Sequence, residues 1–117
     1  MSTAANIVIG LVALLHAWFM VLEMFLWDKP YGRRTFRTTP EFAAASKSLA
    51  ANQGLYNGFL AAGLLWGLFL GAAGLEVKLF FLACVIIAGV FGAVTVNRYI
   101  LFVQAVPGIL AMALLLP

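Results

Sequence analysis

The run "LVALLHAWFMVLEMFLW", Leu11 to Trp27, is apolar at almost every position and is broken by His16 and Glu23. With its lead-in from Ala4 it is long enough to cross a hydrocarbon core of about 30 Å at about 1.5 Å per residue. An ionisable side chain at the centre of such a helix costs about 2.5–3.5 kcal/mol on insertion scales, so each needs a partner or a water-filled cavity. His16 and Glu23 lie seven residues apart, nearly two turns. They therefore share one stripe of the helix, about 10 Å apart along its axis, with Met20 between them.

The remainder of the chain has the same character. Its 117 residues are 65% hydrophobic and only 9% charged, with a mean hydropathy of +1.08. Soluble domains carry about 25% charged residues. The composition therefore predicts an integral membrane protein of one small domain, multi-pass in the inner (plasma) membrane, with membrane lipid as its surroundings. The formal charge of +3 does not point to nucleic acid, because the cations flank apolar spans, where they set orientation. Cys84 is the single cysteine, which leaves no intramolecular disulfide and no cysteine metal site, and it reads as a small buried apolar residue. The first apolar run has no Lys or Arg before it and is longer than a signal h-region, so it is expected to stay as a transmembrane helix.

The pattern predicts an all-α bundle of four transmembrane helices, over about residues 4–27, 40–73, 77–98 and 100–116, with a basic loop at 28–39. Pro30 and Gly32 end the first helix, and Trp27 suits the membrane interface. In "TTPEF", Thr39 is placed as N-cap, Pro40 as the first helical residue and Glu41 at the positive end of the dipole. The short linker "GLEVK" makes the second and third helices an antiparallel hairpin. Pro107 either kinks the last helix or opens a short helix after an irregular stretch. Lys29, Arg33, Arg34, Arg37 and Lys47 lie in or beside the first connection and Arg98 in the third, against Lys78 alone in the second. The positive-inside rule then makes the first and third connections cytoplasmic and puts both termini outside.

Glycines recur at four-residue spacing, Gly54 and Gly58, then Gly63, Gly67 and Gly71, with Gly89, Gly92 and Ala88 on the third helix. Small residues so spaced form a groove for a second helix backbone, within the chain or in a homo-oligomer, which is also expected.

Depth places the polar groups. Glu23 sits about 6 Å inside the cytoplasmic boundary. From that same side the second helix brings Asn52, Gln53, Tyr56 and Asn57, the third ends with Thr95, Asn97 and Arg98, and the last begins with Gln104. If their faces converge they form a polar cup open to the cytoplasm, with His16 at its floor and Arg98 paired with Glu23. Tyr56 and Asn57 are the candidates to reach His16. The bland alternatives are a structural ion pair, interhelical hydrogen bonds from the amides, and packing or anchoring roles for Tyr56, Trp18, Trp27 and Trp66. A His and a Glu seven apart do not form a metal motif, whose helical pairs sit three or four apart. No phosphate loop, dinucleotide fingerprint, serine-nucleophile motif or HExxH is present, so no cofactor or metal is expected.

Three stretches, "LEMFLWDKPYGRRTFRTTPEF", "LAANQGLYNGFLAAGLLWG" and "NRYILFVQAVPGILA", carry a family likeness. The chain resembles the DUF1304 family of small membrane proteins over nearly its whole length. Glu23, Trp27, Pro30, Gly32, Phe36, Pro40, Glu41 and Phe42 match in the first stretch. Asn52, Gln53, Tyr56, Asn57, Gln104 and Pro107 match in the others. The resemblance implies four transmembrane helices in one compact unit and supplies no reaction.

The sequence thus predicts a pocket binding or transporting a small amphiphilic or anionic molecule. Glu23, Asn52, Gln53, Tyr56, Asn57, Asn97, Arg98 and Gln104 would line it, with Arg98 as the anion partner and Glu23 and His16 handling protons. The rival readings are a membrane enzyme using His16 and Glu23 for acid–base chemistry on a lipid-like substrate, and a structural or assembly subunit.

Overall fold

The computed structural model describes residues 2–117, which are helical almost throughout and contain no strand. Helix α1 (Thr3–Phe25) starts where the Ser2 hydroxyl accepts the Ala5 N–H at 3.1 Å. It ends two residues before the expected Trp27. The chain turns back over its last carbonyls, and a Cβ at buried Gly32 would run into the Leu26 carbonyl. The expected basic loop at 28–39 is corrected: it holds a short helix, α2 (Pro30–Phe36). Pro30 opens α2, where a missing N–H is no loss. Arg37 closes it in the left-handed conformation, φ 57°, with its N–H bonded to the Arg33 carbonyl.

Helix α3 (Pro40–Phe69) begins as the sequence predicts, with the Thr39 hydroxyl accepting the Phe42 N–H at 3.1 Å. Five of its buried positions, Ala50, Gly54, Asn57, Ala61 and Leu64, recur at alternating steps of four and three, one face of a helix. It stops short of the expected Ala73. Gly71 takes φ +61°, and residues Gly71–Gly74 tighten into a 3₁₀ turn. Helix α4 (Leu75–Thr95) follows at once. A π turn (Leu101–Ala105) then leads into α5 (Val106–Leu115). Pro107 has no N–H to close an i→i−4 bond, and the helix widens just before it, with the Val106 N–H on the Leu101 carbonyl. Of the two expected outcomes at Pro107, the short helix after an altered turn is the one observed.

Among the described residues, two helical stretches are long and apolar enough to cross a membrane: Thr3–Phe25, and Gly71–Thr95 with its 3₁₀ turn. Leu101–Leu115 is apolar but shorter. In α3 the amides Asn52, Gln53 and Asn57 dilute the apolar run.

Contacts divide the chain into two units, and α1 and α3 contribute to both. In Met1–Leu14 with Leu60–Pro117, the core joins Ala5, Ile9, Val12 and Ala13 of α1 to Leu64 of α3, Leu82 and Val85 of α4, and Ala111 and Leu115 of α5. Gly89 lets α4 meet Ala105 so closely that a Cβ there would lie 2.6 Å from its backbone nitrogen. In Leu15–Phe59, α1 packs on α3 through Gly54 and Gly58, against Met20, Glu23 and Met24. The Trp27 indole donates to the Ser46 hydroxyl at 3.0 Å, and Lys47 pairs with Asp28 at 3.1 Å.

Candidate functional site

The stripe read from "LLHAWFMVLEMF" is real: His16 is fully buried, Glu23 is 7% exposed, and Met20 between them is partly covered. Gly54 of α3 faces this stripe. A Cβ there would come within 3.0 Å of Glu23 Cβ and 3.2 Å of the Met20 carbonyl, so only glycine lets the helices approach this closely. Gly58 makes the matching room for the Met20 sulfur. Close approach sets the polar contact. Asn57, one position before Gly58 and 9% exposed, donates its side-chain N–H to Glu23 Oε1 at 2.5 Å. Such a bond is worth about 0.5–1.5 kcal/mol to a neutral carboxyl and about 1.5–3 kcal/mol to a charged one.

The other expected lining residues are placed differently. Asn52, Gln53 and Tyr56 lie off the buried stripe of α3 and are exposed; the Tyr56 ring packs edge-on against Phe59. Tyr56, at 58% exposure, and Asn57, engaged by Glu23, are not placed as His16 partners by these contacts. The His16 ring sits edge-to-face with Phe19, centroids 5.6 Å apart. Asn97 and Arg98 are exposed in the turn after α4. Asn97 Oδ1 accepts the Tyr99 N–H at 2.9 Å, and the Arg98 guanidinium lies 5.4 Å over the Tyr99 ring. The hydrogen-bond partner of Glu23 is a neutral amide, and the ion pair among the described residues is Asp28–Lys47. Gln104 is half-buried in the π turn. Among the described residues no group of His, Cys, Asp and Glu is arranged to hold a metal.

One buried ionisable residue escaped the sequence reading. Lys78, which ends the expected linker "GLEVK", is fully buried in the first turn of α4. Its ammonium donates to Asn6 Oδ1 at 3.0 Å, and its stem runs over Gly67. The signal was present: Asn6 interrupts the start of the first apolar run, and Gly67 supplies the gap.

Outside the membrane-capable helices, Asp28 is the acid whose titration is clearly moved. The hydrogen bond from Lys47 holds its carboxyl below the ordinary value of 3.8.

Comparison with known proteins agrees with the resemblance. Residues 10–116 match the family described as "Protein of unknown function (DUF1304)". The chain is 34% identical over 104 residues to the uncharacterized protein YpaA of Lactococcus lactis subsp. lactis (strain IL1403), covering 87% of each. No solved structure matches it. A match across nearly the whole length, through both the Glu23 helix and the Asn57 helix, makes this chain a member of the DUF1304 family.

Proposed function

We propose that this is a multi-pass protein of the plasma membrane, crossing it four times with both termini outside, and that Glu23 and Asn57 form the polar centre at which it binds and carries a small amphiphilic molecule. One observation supports this above all: a carboxylate inside an otherwise apolar helix is buried against a neutral amide. Ionisable residues within spanning helices mark functional sites by default. An amide satisfies the carboxylate without neutralising it, so Glu23 keeps the capacity to exchange a proton or a ligand donor for Asn57. Arg98, exposed and stacked on Tyr99, gives no support to an anionic ligand over a neutral or cationic one.

The test is proton flux into pyranine-loaded proteoliposomes under an imposed potential, alongside native mass spectrometry for a retained molecule. Glu23→Gln is expected to abolish Glu23-dependent flux while leaving the fold intact, because an amide still accepts from Asn57. Unchanged flux in Glu23→Gln sinks the carrier reading.

The close helix contact favours a second reading, a structural lock. Gly54, Gly58 and the Glu23–Asn57 bond would then serve only to hold α1 on α3. That reading predicts wild-type behaviour for Glu23→Gln in every assay and loss only in Glu23→Ala and Asn57→Ala.

A further inference from the structure

The segment between α1 and α3 carries a feature that the Glu23 site does not use. Lys29, Arg34 and Arg37 are exposed around α2, and Arg33 is half-buried beside them. None of the four makes a salt bridge among the described residues. Asp28, the acid of this segment, is held by Lys47 at 3.1 Å and does not neutralise them. Two polar atoms here are buried without a hydrogen-bond partner, Arg33 Nε and Thr38 Oγ1. The Thr38 N–H bonds the Arg33 carbonyl at 3.0 Å, which keeps both residues in one turn. Arg33 Nε is a donor without an acceptor, whereas the Thr38 hydroxyl can either donate or accept.

One aromatic contact bears on the level of this segment. Trp27, at the end of the first apolar run, packs on Phe36 of α2 with centroids 4.9 Å apart. Trp and Tyr concentrate where headgroups meet hydrocarbon. At that depth the abundant acceptor is a lipid phosphate, and guanidinium groups bind phosphate through paired N–H donors.

We propose that α2 and the turn at Arg37–Thr38 form a seat for the phosphate of an anionic lipid headgroup in the cytoplasmic leaflet. Arg34 and Arg37 provide the exposed cations, with Lys29 adding charge. Arg33 adds its charge from a half-buried position beside them. The proposal rests on the membrane-spanning reading but not on any role for Glu23. Each basic residue near an anionic leaflet raises the preference for it by about fivefold.

The full-length protein, purified in detergent with an equimolar mixture of phosphatidylglycerol and phosphatidylcholine, provides the test by native mass spectrometry. Wild type is expected to retain phosphatidylglycerol over phosphatidylcholine by about tenfold or more. The double variant Arg34→Gln/Arg37→Gln, on exposed positions, is expected to lose most of that preference with its thermal unfolding unchanged. The charge-retaining Arg34→Lys/Arg37→Lys is expected to keep part of it. Equal retention of the two lipids by wild type, or undiminished preference in the Gln variant, overturns the proposal. So does displacement of phosphatidylglycerol by millimolar inorganic phosphate, which assigns the seat to the free anion. Alkaline carbonate extraction reads the spanning reading separately: release by carbonate refutes the crossings and with them the leaflet the seat requires, whereas loss of the lipid preference in a carbonate-resistant chain refutes the seat alone.

Discussion

Glu23 and Asn57 depend on each other. Removing the carboxyl leaves one buried amide without its acceptor, a loss of about 1–3 kcal/mol. Removing the amide leaves the buried carboxyl without its donor, a loss of the same order, because a buried acid can take up a proton rather than stay charged. Thermal unfolding in detergent is therefore expected to place both Asn57→Ala and Glu23→Ala below Glu23→Gln, which stays near wild type. A Glu23→Gln variant as unstable as Asn57→Ala would mean that the carboxylate does more than accept this bond. At Asp28 the sign is set by Lys47. The folded carboxyl titrates below its ordinary 3.8, so the pair stabilises the fold above that value and its contribution fades as pH falls through the lower folded value. The stability difference between wild type and Asp28→Asn should be flat from pH 7 down to about 5 and close below about 4. A difference that persists at pH 2 would show that the pair is not its source.

At the scale of helices, glycines separate into those that hold contacts and those that do not. Gly10 has nothing within 4 Å of where a Cβ would stand, whereas Gly54 would drive one toward Met24, Glu23 and the Met20 carbonyl. Gly10→Ala should stabilise by up to about 1 kcal/mol through helix propensity. Gly54→Ala should destabilise by about 1–3 kcal/mol through overpacking. If unfolding experiments give the two the same sign, the close α1–α3 contact is not what the fold relies on. This is also where the sequence was most legible. The four-residue spacing of Gly54 and Gly58, and the seven-residue spacing of His16 and Glu23, named two faces that do meet. What it could not reveal was the phase of α3. Asn52, Gln53, Tyr56 and Asn57 fall within six residues, and a helix turns them to different sides; only Asn57 shares the stripe of Ala50, Gly54 and Ala61. Depth alone groups residues that rotation separates. The short helix α2 was hidden for another reason. Pro30 and Gly32 read as breakers, but Pro30 opens a helix and Gly32 packs one against the Leu26 carbonyl.

For the whole molecule, burial of Lys78 changes the charge argument for orientation. By sequence the second connection holds one cation, Lys78, against the cluster at Lys29, Arg33, Arg34 and Arg37. That ammonium is fully buried and bonded to Asn6, so it is not a free flanking charge. The bias that would hold the first connection in the cytoplasm is correspondingly stronger, because the positive-inside rule acts through cations exposed near helix ends. In a Cys84→Ser background, Thr35→Cys in α2 and Ala73→Cys in the 3₁₀ turn occupy exposed positions on the two connections. A membrane-impermeant maleimide is expected to label Ala73→Cys on intact cells and Thr35→Cys only in inverted vesicles. Labelling of both from one side would rule out an odd number of crossings between them, and with it α3 as a spanning helix. The amides that dilute its apolar run would then lie in water rather than in the bilayer, and the Glu23–Asn57 bond would tie the end of a spanning helix to a surface one.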